Sequence, residues 1–520
     1  MSATPAVAAE GHDGAAAAGN DGAPPLRRRM ITVTVMAATL IQTLDATIAN
    51  VALPRIQGAF GATQEQVSWV LTSYIVATAI CMPLTGYLSG RVGRRRVFTV
   101  SVVGFTVASM LCGAAQSLEQ LVLARVLQGA FGACLVPLAQ SVLLDTWPPA
   151  RHGAAMAAWG IGVMVGPILG PTLGGWLTEH HDWRWVFYIN LPVGVLCTLG
   201  LLAYLPPDRP GPPRPFDLAG FAFLAIGLAS LQLMLDRGAS LDWFASTEIV
   251  LQAALAGLCL YLFVAHVLTH PRPFVDPVLF TDRNFSAGLV IAFAVGTVLL
   301  ATMTLLPPYL QSLMGYPVID TGMALAPRGV GTMAGMLVVG RLGSRIDGRW
   351  LIAAGLLLTA HALHEMSRFG PHVPLGAIVR TGLVQGLGVG LVFPSLTAIT
   401  FASLAPRHRD EGTALFSLVR NIGSSVGISV VVSMLARQAQ ANHAALSGFV
   451  DPASLPLRMA IEAGHWRLDT PEGLAAIAEE VSRQALVIAY LQDFRLLMWV
   501  SLATVPLVVL LQPGAAGRRG

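Results

Sequence analysis

The sequence predicts an all-α integral membrane protein with fourteen spanning helices, and three observations carry that prediction. Of 520 residues, 54% are hydrophobic and 12% charged, whereas a soluble chain averages roughly 25% charged. After residue 30, apolar segments follow one another, each near the ~20 residues that a helix needs to cross the hydrocarbon. The loops between them carry arginine on alternate sides, as in a chain whose positive loops stay in the cytoplasm.

Taken in order, residues 1–29 are rich in Ala, Gly and Pro without an apolar run, and read as a disordered cytoplasmic tail rather than a signal peptide. Six spans at about 31–53, 67–89, 97–115, 121–144, 153–178 and 185–205 make an N-terminal six-helix bundle over 30–205. Two more, at 216–235 and 249–269, are inserted linker helices within 206–270. A C-terminal six-helix bundle over 271–512 holds spans at 287–309, 321–341, 350–366, 374–402, 412–436 and 494–512, and 513–520 is a second cytoplasmic tail. Placing both termini inside retains Arg27 to Arg29, Arg91, Arg94 to Arg96, Arg151, Arg341, Arg345, Arg349, Arg407 and Arg409 in the cytoplasm. The short outer loops then keep only Arg55, Arg184, Arg237 and Arg368. A long periplasmic loop, 437–493, is exempt from that bias. Within it Thr470 and Pro471 read as the cap and first residue of an amphipathic helix, on which Leu474, Ile477, Val481, Ile488 and Leu491 recur at helical spacing.

Several functions are disfavoured. All 32 basic residues are Arg and the net charge is +4, so nucleic-acid binding is not suggested. Without Lys there is no phosphate-binding GxxxxGK[ST] loop. The five cysteines lie in apolar runs without CxxC spacing, and His361, His364 and Glu365 lack the spacing of a zinc hydrolase. No metal or cofactor is expected.

The two bundles echo each other. Gln128-Gly129 followed by Pro137 recurs as Gln385-Gly386 followed by Pro394, an offset of 257 residues that also carries Gly86 onto Gly343 and Gly90 onto Asp347. Related halves around a midplane cavity are the plan of a secondary transporter working by alternating access.

At these residues the chain resembles the major facilitator superfamily, in its fourteen-helix drug/proton antiporter branch. Leu44 to Pro54 (LDATIANVALP) resembles that branch's first-helix signature, and Gly86 to Arg96, with Arg91 and Gly93, the superfamily's loop motif. Arg125, Gln128 and Gly129 are similar to its Arg-x-x-Gln-Gly motif, and Gly162, Gly166, Pro167, Gly170, Gly174 and Gly175 to its antiporter glycine-proline motif. The chain departs at Gly90, where the superfamily has Asp, which points to Asp347 as the latch in the second half. Asp182 to Gly194 and Leu231 to Phe244 resemble the EmrB group. The resemblance implies a proton-coupled exporter of amphiphilic compounds in the bacterial inner membrane, not an enzyme. It implies protons, lipid, an EmrA-like periplasmic adaptor and an outer-membrane channel as partners. A proton-coupled importer and a transport-dead sensor are the alternatives.

Asp45, midway along the first span, must be paired, protonated or facing water. It can hold a proton in one state and release it in another, or serve as a structural acid bonded to span four. Arg125 cannot deprotonate, so it either tunes such an acid or snorkels to the interface. Arg420 and Arg380 are weaker versions of the same case. The glycines every four residues in span five let a neighbouring helix approach closely, for gating or for packing alone. Gln42, Gln128, Gln140, Tyr309 and Gln311 are the candidates for lining a substrate cavity.

Overall fold

The computed structural model describes residues 24–208, 215–343, 345–370, 373–450, 458–459 and 470–512. The two predicted tails, except for 24–29, and the middle of the 437–493 loop fall outside them. Every described element is helical. The first half contains α1 (Pro25–Phe60), α2 (Gln64–Cys81), α3 (Leu84–Val92), α4 (Arg94–Ala114), α5 (Leu118–Gly132), α6 (Leu135–Thr146), α7 (His152–His180), α8 (Trp185–Tyr188) and α9 (Asn190–Tyr204). The inserted pair is α10 (Leu218–Arg237) and α11 (Thr247–Thr269). The second half contains α12 (Val278–Thr281), α13 (Arg283–Pro308), α14 (Val318–Leu342), α15 (Gly348–Met366), α16 (Leu375–Thr400), α17 (Arg409–Ser447) and α18 (Pro471–Thr504).

Local chemistry sets the boundaries. Thr63 and Gln66 form a reciprocal capping box before α2, and Ser117, Asp217, Asp282, Asp347 and Thr470 each accept a backbone N–H at a helix start. Span two is broken: α2 and α3 meet at 55° across Met82-Pro83, where proline lacks the N–H that would continue the helix. Pro307-Pro308 likewise precede a π-helical turn, Tyr309–Leu313. On α4, Val100, Val103, Val107 and Leu111 are exposed while Phe98, Val102, Phe105 and Cys112 are buried. Apolar residues on both faces mark a helix with lipid on one side.

Among the described residues, twelve helical segments are long and apolar enough to cross a membrane, and the broken α2/α3 pair makes up to thirteen. The predicted span at 350–366 is not among them, because Arg349, His361, His364 and Glu365 dilute the 19 residues of α15.

The duplication is visible in packing. In the first half α1 packs on α7, α2 on α5, and α4 on α5 and α9. In the second, α13 packs on α17, α14 on α16, and α15 on α16 and α18. α10 touches both halves, through α2 and α17, and bonds α17 by Gln232 to Ser425 at 3.0 Å and Ser429 to Leu235 O at 2.8 Å. The halves meet where α17 lies on α3 and α6 and where α7 lies on α14 and α16. At that second seam the rings of Trp159 and Phe393 stack 5.9 Å apart. The helix capped by Thr470 does not stop at the surface but continues into the last span as one helix of 34 residues beside the 39-residue α17.

Candidate functional site

A polar centre lies inside the first half. Asp45 on α1 is 1% exposed and Arg125 on α5 fully buried. The Arg125 Nη1 donates to Asp45 Oδ2 at 2.6 Å and to Gln128 Oε1 at 2.8 Å, and its Nε donates to Val70 O at 3.0 Å. The other carboxylate oxygen, Oδ1, accepts from Gln128 Nε2 at 2.8 Å and from Asn190 Nδ2 at 3.0 Å. Asn190 also donates to Ser109 Oγ at 2.9 Å, and the guanidinium lies 4.3 Å from the centre of the Tyr74 ring, within cation–π range. Five helices thus converge on one carboxylate. The i, i+3 spacing of Arg125 and Gln128 puts both on the face of α5 that meets α1. A buried ion pair gains little over an apolar pair, but removing one partner costs about 3–5 kcal/mol, so the centre is sensitive to any change in the charge of Asp45.

The second half repeats this geometry with different chemistry. Adding 257 to Asp45 and Gln128 gives Thr302 and Gln385, and Gln385 Nε2 donates to Thr302 Oγ1 at 3.2 Å. The counterpart of Arg125 is Gly382. The acid and its arginine belong to one half alone.

The other predicted residues separate. Gln42 is buried one turn from Asp45, and Gln140 on α6 is fully buried with neither side-chain polar atom bonded among the described residues. Gln128 belongs to the acid centre. Tyr309 is buried inside the second bundle against Tyr490 and Phe494, donating to Gly370 O at 3.3 Å, and Gln311 is exposed. Gly162, Gly166 and Gly170, with half-buried Pro167 between, turn toward Met36, Thr43 and Thr47 of α1, where Thr47 Oγ1 donates to Gly166 O at 3.4 Å. That glycine face is an α1–α7 contact within one half. Gly86 meets α17: a Cβ there would lie 2.7 Å from Glu411 Cα. Gly93 joins α3 to α4 at φ 104°, a backbone glycine favours, and Asp208 accepts from Arg95 N at 2.7 Å and Arg96 N at 3.0 Å beside it. Arg91 is exposed and bonds Tyr87. Arg420 lies 5.3 Å from the Phe393 ring centre, and Arg380 is exposed beside Glu365 at 3.2 Å.

Asp347 does not join the halves. It caps α15 and pairs with Arg349 at 2.8 Å, two residues on. A link between the halves instead joins Arg94 and Arg409, which the sequence marks only by their charge, to Asp145, Asp410 and Ser141, which it does not mark. Arg94 holds Asp410 at 2.8 and 3.1 Å and also binds Asp145, Arg409 binds Asp145, and Ser141 bonds Asp410. Two charges of each sign therefore bridge the halves at the arginine-rich end. Asn190 was also passed over, and its signal is an amide inside an apolar run. So was Asp493 on α18, fully buried with neither carboxyl oxygen bonded among the described residues.

Duplicated helical bundles, one carrying a membrane-buried acid paired to arginine, are the build of a secondary transporter. Residues 35–428 match the Major Facilitator Superfamily, and the chain belongs to that family: it is a multi-pass membrane transporter, not an enzyme. It is 35% identical over 495 residues to the fatty acid resistance protein FarB of Neisseria gonorrhoeae, covering 94% of this chain and 98% of that one. It is also 35% identical over 497 residues to the multidrug export protein EmrB of Escherichia coli K12, covering 94% and 97%. It is an efflux transporter of the EmrB and FarB kind. The human organic anion transporter MFSD10 shares the fold at 16% identity, with a TM-score of 0.59 over 92% of this chain and all of that one.

Proposed function

We propose that the chain is a proton-coupled antiporter of the bacterial inner membrane that exports amphiphilic, drug-like or fatty-acid-like molecules by alternating access. The observation that carries this reading is the Asp45 carboxylate, buried and held by Arg125, Gln128 and Asn190 from three directions. A proton arriving on Asp45 cancels its charge and removes the reason for Arg125 Nη1 to stay on it. Releasing the proton restores the pair, so one proton exchanges two arrangements of α1 against α5. One proton entering down roughly 150 mV supplies about 3.5 kcal/mol, enough for about a 300-fold substrate gradient at one-to-one exchange.

The chain spans the bilayer fourteen times with both termini in the cytoplasm. α15 is the remaining span, since it packs between α16 and α18 as α4 packs between α5 and α9. The arginine-rich end is then cytoplasmic, and the ion pairs between Arg94, Asp145, Arg409 and Asp410 hold that side shut. On the opposite side the projecting ends of α17 and α18, joined by Asn442 Nδ2 to Ala485 O at 3.3 Å, present a surface for an EmrA-like adaptor leading to an outer-membrane channel.

Everted vesicles test the coupling. With an acid interior imposed, wild-type protein accumulates a fluorescent amphiphile and loses it when the pH gradient is collapsed; Asp45→Asn, folded by size-exclusion profile, shows no gradient-dependent uptake. Undiminished gradient-driven uptake by that variant would refute the assignment.

A further inference from the structure

At the arginine-rich end of the inserted helices, α10 begins where α11 ends, and three side chains with metal-binding chemistry come together. Asp217 caps α10 and is 9% exposed. Its Oδ1 accepts from Gly220 N and its Oδ2 from Phe274 N, each at 2.9 Å. Burial pushes the carboxyl up, but the bonds from Gly220 N, His266 and Phe274 N outweigh it and hold the group below the ordinary carboxylate range. His266 Nε2 lies 3.0 Å from both oxygens. One turn on, the His270 ring stacks on that of His266 with centroids 4.7 Å apart, since i, i+4 residues share a helix face.

We propose that Asp217, His266 and His270 form a binding site for a zinc-like divalent transition metal. One ligand atom from each of the three lies within 4.8 Å of the others, and a tetrahedral ion with bonds of about 2.0–2.2 Å spaces its ligands roughly 3.4 Å apart. His266 and Asp217 already stand near that spacing. His270 is exposed, so a rotamer change closes the third side. Two imidazoles and a carboxylate suit zinc, cobalt or nickel and disfavour calcium and magnesium. The Gly220 and Phe274 amides fix the carboxylate's orientation, as outer partners do for metal ligands. The ion takes the lone pair of His266 Nε2, any proton on that atom leaving to solvent, and the metal replaces the hydrogen bond between His266 and Asp217. The remaining coordination position opens on a cleft of 1610 Å³ lined in part by Asp217 and His270. An ion there ties the start of α10 and the end of α11 to the segment at Phe274 that leads into the second half. Neither Asp45 nor its partners take part.

The test titrates the purified full-length chain in detergent with zinc by calorimetry and with cobalt by visible absorption. The expected result is one ion per chain, intense four-coordinate cobalt bands, and a Kd raised at least tenfold by His270→Ala and further by adding His266→Ala. His180→Ala/His181→Ala, a control at another histidine pair, leaves binding unchanged. Zinc also raises the melting temperature of wild-type protein and not of the double variant. No binding by wild-type protein, or binding that neither substitution weakens, overturns the proposal; because His270 is exposed, His270→Ala folds and keeps the comparison decisive.

Discussion

Arg125 shows why a guanidinium occupies the centre of the first half. Its Nε reaches Val70 O while Nη1 serves both Asp45 and Gln128, a fan of donors that a single ammonium cannot reproduce. Arg125→Lys therefore keeps a positive charge near Asp45 and loses the geometry; gradient-driven transport in vesicles is expected to fall at least tenfold at normal expression. Asp493 presents the opposite case. A fully buried polar group without a hydrogen bond costs about 1–3 kcal/mol, and both of its oxygens are in that position among the described residues. Asp493→Leu is expected to raise the melting temperature of the detergent-solubilised protein, and a lowered one would show that the carboxyl has a stabilising partner.

At the scale of elements, the contact of α1 with α7 rests on absent side chains. A Cβ at Gly170 would run into Thr47, whereas a Cβ at Gly175, on the same helix, meets nothing within 4 Å. Gly170→Val should lower the melting temperature through overpacking of about 1–3 kcal/mol. Gly175→Ala should leave it unchanged or raise it, since helix propensity favours Ala by up to about 1 kcal/mol, and thermal unfolding of the two variants separates these outcomes. Elements of this kind are legible in sequence because apolar length and small-residue spacing are local properties. The pairing of Asp45 with Arg125 was half legible, since an acid in hydrocarbon demands a partner and a motif supplied one. Asn190 was hidden because nothing in WVFYINLPVG tells which face of α9 turns inward. Tyr309 and Gln311 stand two residues apart, about 200° around a regular helix, so they cannot both face one cavity, and an apolar run does not tell which of them turns inward. The union of Arg94 and Asp145 with Arg409 and Asp410 joins residues some 300 apart, and no periodicity encodes such a contact.

For the whole molecule, the ion pairs that bridge the halves at the arginine-rich end are made of four partly exposed charges whose side chains retain 13–31% of their exposure. Ion pairs this wet are individually weak and screened by salt, so they bias the two halves without locking them. Asp145→Asn leaves Arg409 without its carboxylate and should shift the population toward opening at that end. Spin labels at Arg151→Cys and Arg407→Cys, in a background without native cysteines, should report a longer mean distance in this variant than in its parent, and a longer one in both at high salt. An unchanged distance distribution would remove the network from gating. The length of α17 carries a mechanical consequence. Its 39 residues extend roughly 58 Å at 1.5 Å each, about twice the ~30 Å of oil it must cross. A rod pivoting at one end works as a lever arm: each degree of tilt sweeps its far tip by about 1 Å, so a small rocking of the second half becomes a wide stroke at that tip.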